Sequence, residues 1–241
     1  MALTIIHTAD LHARLDDGAA EALGFLRAQS GALLLDSGDA VAAGNIYVLP
    51  DEPVLARMTT AGYDAMAVGN REFFFRKSGM LRKLARTGFP VLCANLLPLA
   101  GDLGPVLRWT TLRAGEQTVG VFGLAPTMIP PGSWAERFSD LRFLSWEGAA
   151  REAVEALRGS CDWLLALSHR GMADDLALAE LCPEIDAILG GHTHMSDTRL
   201  LGARPTLVAH PGHHAASVSV LRLERNAAGR NEVEARIVEL T

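Results

Sequence analysis

Short apolar runs alternate with amphipathic segments through the first half of the chain. Leu3–Thr8 is apolar and β-branched and predicts a strand, and Ala19–Ala28 carries apolar residues at helical spacing. The alternation continues with strands predicted at Ala32–Leu35, Ala65–Val68 and Pro90–Ala94 and helices at Pro53–Thr60 and Ser78–Arg86. This order predicts βαβ units and a largely parallel sheet, and the unbroken apolar strands indicate burial on both faces.

The second half of the chain has a different pattern. Val106–Leu112 and Thr118–Leu124 predict a strand pair that turns at Ala114–Glu116. Later helices are predicted at Trp146–Leu157 and Asp174–Leu181, and strands at Trp163–Leu167, Ala187–Leu189, Thr206–Ala209, Ala216–Glu224 and Val233–Leu240. The last three strands alternate and indicate antiparallel pairing. Without repeats or a long linker, we expect one α/β domain over residues 1–241, with two packed mixed sheets and outer helices.

Composition narrows the class of protein. Hydrophobic residues make up 49% of the 241 residues and charged residues 21%, which excludes a disordered chain. The formal net charge is −6, so we expect no membrane partner and no stable binding to duplex nucleic acid. Cys93, Cys161 and Cys182 form no C-x-x-C pair and predict no disulfide framework. We see no signal peptide and no apolar run that could span a membrane, and we expect a soluble, cytoplasmic protein.

Potential metal ligands follow five of the predicted strands, at the point where each strand ends. In an open α/β sheet these carboxyl ends meet at one edge. The residues are Asp10, His12, Asp39, Asn70, His169, His192 and His194. Any one of them alone is more often a turn, capping or surface residue. The joint pattern, with glycine at three of the strand ends, predicts a metal site.

The mixture of ligand types indicates which ions the site would take. Carboxylates, an amide oxygen and imidazoles together suit Mn, Fe, Zn, Co or Ni better than Mg or Ca, which favour all-oxygen shells. Seven ligands are too many for one tetrahedral ion, but they suit two divalent transition-metal ions that share a carboxylate. Mn is the ion we expect first.

These motifs resemble a known family. The blocks Ile6–His12, Gly38–Asp39, Gly69–Asn70, Ser168–His169 and Gly191–His194 resemble those of the calcineurin-like metallophosphoesterases. Together with Glu72-Phe73 and Ala94-Asn95-Leu96, the first and third blocks are most similar to the 5′-nucleotidase branch. The resemblance covers about Leu3 to Val220. It implies a four-layer αββα sandwich and a di-metal phosphoester hydrolase, in which a hydroxide between the ions attacks phosphorus in line.

The resemblance also implies how the ligands divide between the ions. Asp10, His12, Asp39 and His194 would hold one ion, and Asp39, Asn70, His169 and His192 the other, with Asp39 bridging. Asp36 and His7 are candidates for orienting the ligand histidines, with a buried structural role as the alternative.

Position 71 departs from the family pattern. Members usually have histidine after Gly-Asn, paired in the nucleotidase branch with an aspartate three positions later; here these positions are Arg71 and Phe74. Arginine can stabilise a phosphate but has too high a pKa to protonate a leaving group. We therefore expect a phosphodiesterase acting on substrates that need little protonation, such as 2′,3′-cyclic nucleotides. His210, immediately after an apolar run, is the best candidate for a replacement acid; His213 and His214 are expected on the surface or in a loop.

Substrate contacts are predicted less directly. Arg71 and Asn70 are expected at the phosphate with His192, and Asn95 either donates to the phosphate or shapes a turn. Phe73 could stack a base or pack in the core, and Tyr47 could stack or bind a phosphate oxygen. We expect no counterpart of the further C-terminal domain of secreted 5′-nucleotidases, and we expect loops 40–51 and 126–138 to set nucleoside specificity.

Three alternatives remain open at this point. One is a phosphomonoesterase similar to 5′-nucleotidases, with a small nucleotide as substrate. Another is a repair-type nuclease, against which the negative net charge counts. The last is a degenerate metal-binding scaffold, supported only by the missing His–Asp pair. The oligomeric state cannot be predicted from the sequence.

Overall fold

A computed structural model describes residues 2–44, 47–49, 52–226 and 231–240. The helices are α1 (Asp17–Ser30), α2 (Pro53–Ala61), α3 (Lys77–Leu84), α4 (Trp134–Ser139), α5 (Trp146–Leu157) and α6 (Met172–Leu181). The strands are β1 (Leu3–Thr8), β2 (Leu33–Asp36), β3 (Ala65–Ala67), β4 (Val91–Leu92), β5 (Leu96–Pro98), β6 (Val106–Leu107), β7 (Trp109–Ala114), β8 (Gln117–Leu124), β9 (Leu141–Phe143), β10 (Trp163–Ser168), β11 (Ala187–Gly190), β12 (Ser196–Leu201), β13 (Thr206–Pro211), β14 (Ser217–Arg225) and β15 (Asn231–Glu239).

Two mixed sheets form the centre of the molecule. Within the described ranges, the first sheet has the strand order β15-β14-β1-β2-β3-β4-β6 and the second has β12-β13-β11-β10-β8-β7. β1, β2, β3 and β4 run parallel, as do β8, β10, β11 and β13. Because the turns that follow parallel strands lie at one edge, this topology places the predicted ligand turns side by side.

Alternate residues of the central strands face different layers. In β1, Leu3 and Ile5 belong to the core between the two sheets, whereas Ile6 belongs to the core under helices α1 to α3. In β10, Leu165 points between the sheets and Leu164 packs into the core under α5 and α6. The layers are therefore helix, sheet, sheet, helix, which confirms the predicted αββα sandwich.

The predicted strand Val106–Leu112 is in fact two strands that belong to different sheets. Val106 and Leu107 form β6, which pairs parallel with β4 at the edge of the first sheet, and the hairpin partner of β8 is β7. Between them, Arg108 donates to the carbonyl of Ala94 and pairs with Glu152 of α5. This contact lies where the chain passes from one sheet to the other, a crossing that the apolar pattern does not reveal.

Several short elements had no prediction. They are α4, the β5–β9 pair and the edge strand β12, whose residues are largely exposed. A short helix and an exposed edge strand bury too little apolar surface to leave a periodic pattern. None of the helices in the described part of the chain is long and apolar enough to cross a membrane.

Candidate metal centre

The turns after five strands meet where the two sheets adjoin. The turns after β1 and β2 are joined by backbone hydrogen bonds, Asp10 N–H to Gly38 O and His12 N–H to Asp39 O, both 3.0 Å. The second sheet is tied to them in two places. His169 Nδ1 lies 2.8 Å from the carbonyl oxygen of Ser37, and the backbone N–H of His192 donates to Asp10 Oδ2 at 2.8 Å. Ligands from both sheets therefore share one site.

The side-chain atoms of the candidate ligands converge closely. Asp10 Oδ1 lies 3.7 Å from His12 Nε2, 3.8 Å from His169 Nε2 and 3.4 Å from His194 Nε2. Asp39 faces two histidines with different oxygens: Oδ2 is 3.6 Å from His12 Nε2, and Oδ1 is 3.4 Å from His169 Nε2. Two triads of possible ligands result, Asp10–His12–His194 and Asp10–Asp39–His169.

Four of these residues carry buried polar atoms without a hydrogen-bond partner among the described residues. The atoms are Asp10 Oδ1, His12 Nε2, Asn70 Oδ1 and His169 Nε2. Leaving a buried polar atom unpaired costs about 1–3 kcal/mol, so native proteins rarely leave several of them together. The unpaired atoms of Asp10, His12 and His169 lie together, with Asp10 Oδ1 3.7 and 3.8 Å from the two nitrogens, and fit the donor set of a divalent transition-metal ion.

The backbone of the site is strained. Asp10, His12, Asp39, His192 and His194 all have positive φ, between 45° and 76°. Residues other than glycine rarely adopt this conformation, and it costs on the order of 1–3 kcal/mol at each position. Such strain persists where the surrounding structure fixes the geometry, which is typical of functional sites.

Electrostatics link the histidines to the aspartates. The nearby carboxylates of Asp10 and Asp39 raise the pKa of His12 to about 9, against the effect of burial. Burial lowers the pKa of His169, but Asp39 and Asp10 outweigh it and raise the pKa to about 9. Burial raises the pKa of the Asp39 carboxyl, yet His12 and His169 hold it below its usual value. A bound cation would compete with protons for the same imidazole nitrogens.

A fully buried glutamate holds two of the ligand turns. Glu72 accepts the backbone N–H groups of Asp39, Ala40, Val41 and Gly69 at 2.8–3.2 Å. A side chain on Gly69 would not fit, since its Cβ would lie 2.3 Å from Asp39 Oδ1. Glu72 entered the sequence analysis only as part of the family resemblance, and its organising role was missed.

A buried lysine completes this support. Lys83 Nζ donates to the carbonyl oxygens of Gly44, Arg71 and Phe73 at 2.6–2.8 Å. Burial lowers the pKa of Lys83 to about 8, although neighbouring acids including Glu72 oppose the shift. The only signal in the sequence was composition, because Lys77 and Lys83 are the only lysines among 22 basic residues.

Arg71 lies at the edge of the site. Its backbone N–H donates to Asp39 Oδ1 at 2.7 Å, and its Nη1 donates to the carbonyl of Ala42 at 3.1 Å. The hydroxyl of Tyr47 donates to the same carbonyl, also at 3.1 Å, and half of the Tyr47 side chain is exposed. Of the predicted substrate contacts, Arg71 therefore lies beside Asp39, and Tyr47 lies beside Arg71 at the carbonyl of Ala42. Residues 45, 46, 50 and 51 of the loop predicted to set specificity lie outside the described residues.

The histidine chosen as the replacement acid is in the wrong place. His210 is fully buried and bonded to Asp175 of α6 at 2.8 Å, so it cannot touch a substrate. His213 and His214, expected on the surface or in a loop, lie in the loop between β13 and β14, and this loop reaches the candidate ligands. His214 Nε2 is 3.3 Å from His12 Nδ1, and the ring of His213 stacks on His194 with centroids 4.7 Å apart. The strand β14, which follows this loop and pairs antiparallel with β1, holds the loop at the site.

Two predicted substrate contacts are wrong. Asn95 is fully buried, and its amide bonds the backbone of Ala125 with both atoms, at 2.9 Å each. Phe73 is 1% exposed and packs in the core 5.9 Å from Phe143 between ring centroids. The exposed aromatic of that segment is Phe75.

The residues expected to orient ligand histidines have other partners. Asp36 accepts from Thr8 and from the backbone of Gly38, and His7 lies 2.7 Å from the Ser37 hydroxyl. Both shape the turns after β1 and β2, which fits the structural alternative.

Comparison with known proteins agrees with this geometry. The sequence model of the family described as calcineurin-like phosphoesterase matches residues 3–196. The chain belongs to the calcineurin-like phosphoesterase family. Proteins of this family use divalent metal ions, and the clustered carboxylates and imidazoles described above are candidate ligands.

The relatives place this calcineurin-like phosphoesterase near the 5′-nucleotidases. It is 30% identical over 222 residues to snake venom 5′-nucleotidase of Gloydius brevicauda, covering 80% of this chain and 37% of that protein. It is 30% identical over 224 residues to 5′-nucleotidase of Homo sapiens, covering 80% and 38%. The chain thus spans about two fifths of the length of these relatives.

A solved structure has the same fold. The 5′-nucleotidase precursor of Thermus thermophilus superposes with a TM-score of 0.83 at 24% identity, covering 100% of this chain and 55% of that one.

Proposed function

We propose that this protein hydrolyses phosphate esters of small nucleotides at a centre of two divalent ions, with nucleoside 5′-monophosphates as the first substrate class. The observation that carries the proposal is the cluster of unpaired buried atoms on Asp10, His12 and His169, within the described part of the chain. The choice of monoesters follows the names of the relatives, which are 5′-nucleotidases.

The proposed ligand sets are those that the family resemblance implies. Asp10, His12, Asp39 and His194 would hold one ion, and Asp39, Asn70, His169 and His192 the other. Asp39 is the proposed bridging ligand because its two oxygens face different histidines, Oδ2 toward His12 and Oδ1 toward His169. The mixed nitrogen and oxygen set favours Mn²⁺, with Fe, Zn, Co and Ni as alternatives.

The ions would polarise the phosphoryl oxygens and lower the pKa of bound water. The protein's part is to hold and orient. Glu72 fixes the turns that carry Asp39 and Asn70, and the half-buried guanidinium of Arg71 offers charge and hydrogen bonds to phosphate oxygens. Arginine stays charged at all working pH values, so Arg71 cannot protonate a leaving alkoxide.

Arg71 also favours a second candidate function. A substrate whose leaving group needs little protonation suits a site with arginine at position 71 and Phe74 in place of an aspartate. Strained 2′,3′-cyclic nucleotides meet that need. A cyclic phosphodiesterase is therefore the alternative to be measured against the monoesterase.

A comparison of AMP with 2′,3′-cyclic AMP tests both candidates, using the purified protein with Mn²⁺, Zn²⁺, Co²⁺, Ni²⁺, Fe²⁺ or Mg²⁺. Asp39→Asn keeps the side-chain shape, tolerates the positive φ and removes the bridging charge, so it should abolish turnover. Asp102→Ala, on an exposed turn, is the matched control. Arg71→His should shift preference toward AMP. If neither AMP nor 2′,3′-cyclic AMP is hydrolysed in a metal-dependent reaction, the proposal is overturned and a scaffold role is favoured.

A further inference from the structure

The loop between β13 and β14 reaches over the candidate metal centre. Its backbone is anchored there, since His214 N–H donates to the carbonyl of Asp10 at 2.9 Å and Gly212 N–H to that of Met195 at 2.8 Å. His214 has positive φ, 61°, and its neighbour Ala215 has φ of 56°. The loop thus holds a strained conformation that directs an imidazole toward His12.

The contact between these two histidines involves a particular pair of nitrogens. His214 Nε2 lies 3.3 Å from His12 Nδ1. The other nitrogen of His12, Nε2, faces Asp10 and Asp39 at 3.7 and 3.6 Å and has no hydrogen-bond partner among the described residues. One ring nitrogen of His12 therefore faces the ligand cluster, and the other faces His214.

This arrangement fixes where the proton of His12 must be when a metal is bound. A neutral imidazole carries one N–H, and a metal takes the nitrogen that lacks it. With Nε2 on a metal, Nδ1 must be the donor, and within the described ranges its hydrogen-bond partner is His214 Nε2. Ligand histidines commonly donate their second N–H to a carboxylate, carbonyl or water that fixes tautomer and ring orientation. Here an imidazole takes that place.

We propose that His214 is a positioning residue that accepts the Nδ1–H of His12 and so holds His12 Nε2 ready for a divalent ion. The inference rests on the proposed two-ion function, and it assigns a role to a residue outside the family's sequence blocks. Loss of such a partner typically lowers metal affinity 10–100-fold. His213, which stacks on His194, has no such contact with His12 among the described residues.

The positive φ at position 214 determines which variants are useful. His214→Gly and His214→Asn both tolerate φ above zero, and neither reaches His12 Nδ1 with an acceptor. His214→Gln is the conservative variant, because its side-chain oxygen can occupy the place of the imidazole Nε2. His213→Gln is the matched control from the neighbouring position. Far-UV circular dichroism verifies that each variant is folded without metal.

Two measurements with Zn²⁺ test the proposal. Competition with a chromophoric chelator should show Zn²⁺ affinity lowered 10–100-fold in His214→Gly and His214→Asn, and restored to within a few-fold in His214→Gln. In ¹⁵N-histidine-labelled Zn²⁺ protein, the His12 Nδ1–H signal should persist in the parent, in His214→Gln and in His213→Gln. It should be lost to exchange with water in the other two variants.

The outcomes separate the two levels of the argument. If the parent binds no Zn²⁺, the proposed metal centre itself is wrong. If the parent binds Zn²⁺ and the glycine and asparagine variants bind it equally well with an unchanged His12 signal, only the role of His214 is overturned. If His214→Gln loses as much Zn²⁺ affinity as His214→Gly and His214→Asn, the whole imidazole is needed for packing. That result would also overturn the acceptor role.

Discussion

Replacing Glu72 by glutamine should weaken both the fold and the metal centre, because its carboxylate holds two ligand-bearing turns. Oε1 accepts the N–H groups of Ala40 and Val41, and Oε2 accepts those of Gly69 and Asp39. In glutamine one oxygen becomes an NH₂ group. Whichever way the amide is turned, a donor then faces two backbone donors.

The magnitude follows from the two lost bonds. Hydrogen bonds to a charged group contribute about 1.5–3 kcal/mol each, so the gross loss is roughly 3–6 kcal/mol. Removing a buried charge recovers part of the desolvation cost, and we expect a net loss of about 2–4 kcal/mol. Such a loss is a large share of the roughly 5–15 kcal/mol that stabilises a typical domain.

Urea unfolding of the metal-free protein at pH 7 measures this loss. The matched control is Glu52→Gln, since Glu52 is also buried and, among the described residues, accepts the N–H groups of Ala42 and Ala43 with one oxygen each. That variant should lose half as much stability or less and keep its Zn²⁺ affinity, whereas Glu72→Gln should lose both. Parent-like unfolding and Zn²⁺ binding in Glu72→Gln would refute the role assigned to this carboxylate.

Three further predictions concern stability. Burial holds the pKa of His7 well below 6.5, so the unfolded chain takes up more protons and stability falls as pH drops below 6.5, by up to ~1.4 kcal/mol per pH unit. In His7→Gln the urea midpoint should depend less on pH between pH 7 and 5 than it does in the parent. An unchanged pH dependence would contradict this prediction. Gly190→Ala would place Cβ 2.0 Å from His210 Nε2, so the free energy of unfolding in urea should fall by about 3 kcal/mol. Gly159→Ala, where Cβ would meet open space, should be nearly neutral, and equal losses in the two variants would refute the clash. Free Zn²⁺ at 100 times its Kd should raise the free energy of unfolding by about 2.7 kcal/mol, and a chelator should reverse this gain. An unchanged melting temperature would count against the proposed metal centre.

The sequence was most informative where each candidate ligand directly follows an apolar strand. Asp10, Asp39 and His169 could be placed together because parallel strands, buried on both faces, present their ends at one edge. The change from βαβ units in the first half of the chain to antiparallel strands at its end also predicted two packed mixed sheets. These signals depend on local sequence order and on a topology with few alternatives.

The rest of the site depends on contacts that have no local signal. His214 reaches His12 across 202 positions of the sequence, through the return of an antiparallel strand. Glu72 and Lys83 are charged residues, which the pattern assigns to the surface until their backbone partners are known. For the same reason, His210 looked accessible in a sequence where its partner Asp175 could not be identified.

The division of the candidate ligands between the two sheets has a consequence for assembly. Four candidate ligands come from the N-terminal half of the chain and three from the C-terminal half: Asp10, His12, Asp39 and Asn70, and His169, His192 and His194. Neither half alone would bind an ion with the complete ligand set, so tight metal uptake during refolding would mark the moment at which the two halves dock. Metal occupancy would then report completed folding as well as readiness for catalysis.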